Sequence, residues 1–141
     1  MGIQMVVFKL LKEEFAIEVT SVESIIKFQA ITKIPHAPDF VVGVTNLRGN
    51  IVPVINLNKR LELPQTEQDE ETRIIVVILK DSKVGMVVDG VTQVIEIEES
   101  EIEPTPTVTM SIDSSFIRGI VKIESQLVIL LNLEKVFFRE D

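Results

Sequence analysis

Few side chains in this chain could do chemistry, and one of them sits at a turn whose surroundings recur later without it. The chain has one His and no Cys, Tyr or Trp, so thiolate, phenolate and most imidazole chemistry is unavailable. His36 lies in Ile34-Pro35-His36-Ala37-Pro38 with no second His or Cys to share a metal, and it reads as an exposed loop residue. The six glycines are isolated, so there is no phosphate-cradling loop. The acidic run Glu96, Glu98, Glu99, Glu101 and Glu103 lacks the glycine-bearing oxygen-donor loop of a calcium site and reads as a solvated turn. Asp89-Gly90 is a strong turn dipeptide, expected as a hairpin or bulge; its functional reading is a turn on a contact surface. Arg48 is harder to dismiss. It precedes Gly49 at a tight turn flanked by Val44, Leu47, Ile51 and Val52. An ordinary exposed Arg adds little to stability, whereas a planar, bidentate guanidinium beside apolar residues suits an interface anchor.

The elements that must position Arg48 occur twice. Gly43 to Leu61 (GVTNLRGNIVPVINLNKRL) aligns without a gap on Gly119 to Phe137 (GIVKIESQLVILLNLEKVF), 76 positions later. Gly43 falls on Gly119, Val52 on Val128, Asn56 on Asn132 and Lys59 on Lys135. The turn differs: Asn46-Leu47-Arg48-Gly49 stands against Lys122-Ile123-Glu124-Ser125, so Arg48 faces a Glu of opposite charge. A shared frame with one specialised turn is the expected form of a binding site in a duplicated fold. Upstream, Phe15–Ile26 lies over Val84–Ile95, with Val22 on Val91, and the same offset matches Pro35 with Pro104. The second copy carries about seven extra residues around Val108–Ser115, by difference of the two offsets.

More than a quarter of the residues are Val or Ile, in short runs bounded by turn residues, which is the strand signature. The pattern predicts strands over Met5–Leu11, Phe15–Val19, Val42–Leu47, Asn50–Asn56, Ile74–Lys80, Lys83–Val88, Val94–Glu96, Ile117–Ile123 and Gln126–Asn132. Tight turns are expected at Lys12-Glu13-Glu14, Asp81-Ser82, Arg48-Gly49 and Glu124-Ser125, and one turn of helix at Leu57–Leu61 and at Leu133–Phe137. The expected fold is all-β: two small pseudo-duplicated barrels of about five strands sharing a hydrophobic core. The copies span about residues 5–63 and 73–138 of a single domain over 1–141, joined by a polar, acidic linker over 62–72.

Composition narrows the function. At 45% hydrophobic residues and a mean hydropathy of +0.30 the chain can bury a core. A net charge of −8 repels phosphate backbones and anionic lipid, and 5% aromatics cannot line an oligonucleotide-binding face. A barrel enzyme using paired carboxylates, such as Asp89 with a neighbouring Glu, has no supporting motif. The opening MGIQMVVFKLLKEEF has no basic leader, and Lys9 breaks its apolar stretch, so a cytoplasmic protein without membrane insertion is expected. No cofactor or metal is expected.

Three segments carry a resemblance. Val44-Thr45-Asn46-Leu47-Arg48-Gly49 with Ile51 to Leu57, Val84 to Val91, and Ile129 to Lys135 resemble, in order, the signature stretches of CheW-type chemotaxis coupling proteins. The likeness runs from about Val6 to Phe138. It implies two intertwined, five-stranded SH3-like barrels, no enzymatic activity, and an adaptor task. Such proteins join the cytoplasmic tip of a methyl-accepting chemoreceptor to the regulatory domain of the chemotaxis histidine kinase, in receptor arrays at the membrane. By the same resemblance, Arg48 matches the signature Arg of receptor and kinase control. Val22 and Val94 fall at receptor-facing apolar positions, and Ile25, Asn46 and Leu47 complete the expected receptor surface. The loop Glu103-Pro104 to Val108 matches a kinase-contact region, to which the Asp89-Gly90 turn is added. Many relatives carry a Glu two residues after Val22; here Ser24 stands there and Glu23 one residue earlier, which in a strand points to the opposite face. A Glu23–Arg48 ion pair is therefore an expectation to be tested.

Overall fold

Ten strands and two single-turn helices follow one another along the chain, in a computed structural model that describes residues 2–105 and 112–137. Strands β1 (Ile3–Leu10) and β2 (Glu13–Glu18) form a hairpin, after which a 3-10 turn at Val19–Ser21 leads into β3 (Val22–Lys27). Strands β4 (Val41–Leu47) and β5 (Asn50–Asn56) precede α1 (Leu57–Arg60). The second copy repeats this as β6 (Arg73–Leu79), β7 (Ser82–Val88), β8 (Gly90–Ile97), β9 (Ile117–Ile123), β10 (Gln126–Leu131) and α2 (Leu133–Phe137).

The strands assort into two five-stranded sheets, ordered β8-β1-β2-β10-β9 and β3-β6-β7-β5-β4. The halves are therefore intertwined: hairpin β1–β2 joins the last three strands, and hairpin β6–β7 joins β3, β4 and β5. Sequence copies and structural halves do not coincide. Register is duplicated with the strands. Parallel pairing of Val54 with Gly85 repeats as Leu130 with Ala16, and antiparallel Val22 with Val77 repeats as Val91 with Phe8.

Neither sheet closes through a continuous ladder, but each curls until the segment leaving one edge strand touches the other edge. Thr32, after β3, exchanges two 2.8 Å hydrogen bonds with Val44 on β4; Glu103, after β8, does the same with Ile120 on β9 at 2.8 and 2.9 Å. This contact explains the shared glycine. A Cβ on Gly43 would stand 2.0 Å from the Thr32 carbonyl oxygen, and one on Gly119 would stand 2.9 Å from that of Glu103.

Burial follows strand alternation. On β1, Met5 and Val7 face the interior of their own half while Val6, Phe8 and Leu10 enter the central core; on β6, Ile74 and Val76 face inward while Ile75 and Val77 enter that core. Strands buried on both faces read as unbroken apolar runs. The central core draws on both sheets, so the halves share one hydrophobic interior, as expected.

Four local expectations need correction, one being the strand expected over Val94–Glu96, which runs over Gly90–Ile97 as β8. β3 lacks the unbroken apolar run of a buried strand, because Glu23, Ile25 and Lys27 face solvent, and it is absent from the expected strands. The turns after β1 and β6 fall one residue earlier than expected; Lys80 and Asp81 both take positive φ (48° and 66°), the mark of a type I′ hairpin. Asp89 is no hairpin or bulge turn, because β7 and β8 belong to different sheets; it is the crossover between them.

The symmetry breaks at Arg60, whose counterpart 76 positions on is Val136. Asn56 and Asn132 cap α1 and α2 alike, accepting from Lys59 N (3.1 Å) and Lys135 N (3.3 Å). Their own N–H groups donate to Phe40 O and Phe116 O, another matched pair. Arg60 is 8% exposed, its guanidinium 4.9 Å from the Phe40 ring and 4.6 Å from the Phe116 ring, and it donates to the backbone oxygens of Val136 and Lys135. A single cation thus ties together elements from both halves.

Candidate functional site

The hairpin carrying Arg48 is braced from below. Asn46 Oδ1 accepts from Gly49 N (3.0 Å), while Gln29 Nε2 donates to Thr45 Oγ1 (2.7 Å) and to Asn46 O (2.8 Å). Arg48 and Gly49 take φ of 52° and 85°, again a type I′ turn whose twist matches its strands. Leu47 is half-buried beside Val52, Ile74 and Val76. Arg48 itself is exposed, with no ion pair among the described residues. The braced turn thus holds the guanidinium out from the sheet.

The Glu23–Arg48 pair is not formed. Glu23 instead meets Lys83 Nζ at 2.8 Å, a partly exposed pair of small energetic consequence. Glu23 stands at the start of β3 beside the β6–β7 hairpin that carries Lys83, whereas the β4 edge meets the chain only beyond the end of β3, at Gln29 and Thr32. Val22 is half-buried against the central core, with Ile25 exposed three residues on. Val94, 59% exposed, stands at the same place on β8, the outer strand of the other sheet.

Sequence reasoning missed two surface residues as candidates. Ile51 is 67% exposed opposite Asn46, and Leu127 is 57% exposed opposite Lys122, its matched position. The signal was present: each precedes an inward residue, Val52 or Val128, so alternation turns both outward. Arg48 with Ile51 and Glu124 with Leu127 thus make two similar aliphatic tips of opposite charge.

The kinase-contact candidates separate in space and role. Asp89 is structurally engaged: its carboxylate accepts from Leu11 N and Thr66 Oγ1, both at 2.6 Å, and its own N–H donates to Lys9 O. Gly90 is buried and paired with Lys9. Glu103 and Pro104 are exposed, with the Glu103 backbone committed to Ile120, and Val108 lies outside the described residues. The Asp113 carboxyl is held below its ordinary range by the Ser115 backbone N–H, as in any turn cap. Among the described residues no three His, Cys, Asp or Glu converge to hold a metal, and no helix is long and apolar enough to cross a membrane.

Known proteins agree with this geometry. The family model described as CheW-like domain matches residues 4–141. Chemotaxis protein CheW of Bacillus subtilis (strain 168) is 42% identical over 139 residues, covering 99% of this chain and 89% of that protein. The protein of the same description from Rhizobium meliloti (strain 1021) is 33% identical, covering 99% and 90%. The crystal structure of scaffolding protein TtCheW from Thermoanaerobacter tengcongensis superposes with a TM-score of 0.90 at 39% identity, covering 97% of this chain and 88% of that one.

Proposed function

The chain belongs to the CheW-like family of chemotaxis scaffold proteins, and we propose that it couples the cytoplasmic tip of a chemoreceptor to the regulatory domain of the chemotaxis histidine kinase, without catalysis of its own. The observation that carries the reading is the pair of matched hairpin tips, Arg48 with Ile51 and Glu124 with Leu127. An adaptor needs two surfaces that are alike in build and unlike in preference, and a charge reversal on a duplicated frame supplies them.

In this reading a helical receptor tip lies on apolar residues of the outer strands, Val22, Ile25 and Val94, with Asn46, Leu47 and Arg48 at its border. The kinase domain meets Glu103 and Pro104 beyond the end of β8, while Asp89 and Gly90, at the start of that strand, hold the crossover from β7 in shape. Contacts of modest area serve transient signalling. The protein would work in the cytoplasm, held at receptor arrays by its partners.

Calorimetric titration with a kinase regulatory domain and with a receptor-tip fragment tests this. Wild type should bind both, and Arg48→Glu should lose at least one while melting within a few degrees of wild type, because an exposed turn residue contributes little to stability. Wild type binding neither partner would overturn the reading.

A further inference from the structure

The duplication creates two matched clefts, and among the described residues the linker walls only one of them. The first, beside α1, is about 170 Å³ and lies among Phe28, Val42, Asn56, Asn58, Val87 and Asp89. The linker lies across it as an extended strap. Asn56 Nδ2 donates to Gln65 Oε1 (2.9 Å), Asn58 Nδ2 donates to Thr66 Oγ1 (3.2 Å), and Thr66 Oγ1 donates to Asp89. Leu63 N completes the seat on Asn58 O (2.8 Å).

The second cleft, beside α2, is about 460 Å³. Its Asn132, Glu134, Arg118 and Glu18 are the counterparts, by the two sequence offsets, of Asn56, Asn58, Val42 and Val87. Asn132 Oδ1 caps α2 as Asn56 Oδ1 caps α1, so the same cap orients its amide and leaves Nδ2 for a partner. Among the described residues, none takes the linker's place there.

We propose that the cleft beside α2 seats an extended segment of a partner protein, as the cleft beside α1 seats the chain's own linker. Its chemistry sets the kind of segment. Glu18 and Glu134 line the cleft with one guanidinium, that of Arg118, which lies 3.0 Å from Glu18 and 3.4 Å from Glu99 outside the lining. The excess of negative charge disfavours an acidic strap like the linker and favours a basic one. An amide or hydroxyl oxygen on that segment accepts from Asn132 Nδ2, and a lysine or arginine faces Glu134. The cleft contains none of the residues assigned above to receptor or kinase, so the two readings stand or fall separately.

Two synthetic peptides test this against the isotopically labelled full chain by NMR: the native sequence of residues 62–72, and the same peptide with every Glu and Asp exchanged for Lys. The basic peptide should give saturable shifts at Glu18 to Ser21, Arg118 and Asn132 to Glu134, and bind at least about tenfold more tightly than the native one. Glu134→Lys, at an exposed position, should weaken the basic peptide by about tenfold with the fold intact, and Asn132→Ala should weaken both peptides. Absence of saturable shifts, shifts elsewhere, or full binding by Glu134→Lys would overturn the proposal.

Discussion

Arg60 offers a sharp test of how the halves are held together. Its guanidinium makes two charge-assisted hydrogen bonds to the α2 backbone, each worth about 1.5–3 kcal/mol. It also lies over two aromatic rings, each contact worth about 0.5–2 kcal/mol. Desolvating the cation offsets several kcal/mol of that gain. Arg60→Ala removes attraction and penalty together, but it opens a gap between Phe40 and Phe116 and leaves two carbonyls to find water. We expect a net loss of about 3 kcal/mol, or a melting point lower by about 10 °C for a chain of this size. Arg60→Met fills most of the gap with no buried charge and should lose about half as much. Urea unfolding reads both as a shift in midpoint at constant slope. A loss under about 1 kcal/mol for the alanine variant, or a methionine variant worse than alanine, would refute a tie made by the guanidinium.

Other outcomes follow from the same geometry. Gly43→Ala should destabilise more than Gly119→Ala, because its Cβ would stand closer to a backbone oxygen (2.0 against 2.9 Å) and its φ of 154° also disfavours a side chain; thermal melts in the reverse order would contradict the close-approach account. Residues 1–63 alone should be unfolded by circular dichroism, since β1 and β2 would lack β8 and β10, and adding residues 64–141 should restore strand signal; a folded fragment would refute the intertwining. Ile51→Lys and Leu127→Lys should each change stability by no more than about 0.5 kcal/mol while weakening partner binding in calorimetry; unchanged affinity in both would remove the hairpin tips from the interface.

Much of this was written locally. Apolar runs bounded by turn residues placed β5 and β9 at their observed bounds, because those strands bury residues by simple alternation between marked turns. The internal alignment picked out Gly43 with Gly119 and Asn56 with Asn132, positions where a backbone crosses closely or a helix needs a cap. β3 was not legible, because an outer strand with Glu23, Ile25 and Lys27 in water carries half the apolar signal of a buried one. The linker read as a polar connector, yet it is seated by specific side chains, since composition reports polarity and not where hydrogen bonds end.

What the chain determines by itself is the apolar strands bounded by turn residues, the duplicated frame and the odd charge at Arg48, for these rest on neighbours in sequence. Tertiary structure alone decided that the hairpins exchange halves, that Glu23 meets Lys83 and not Arg48, and that Arg60 stands between Phe40 and Phe116. An apolar run on both faces of β1 states that the strand is buried, but many strands could bury it equally well. The choice among them falls to packing of the whole core, where Gly85, for example, leaves room for the Ile74 side chain 2.9 Å from where a Cβ would stand.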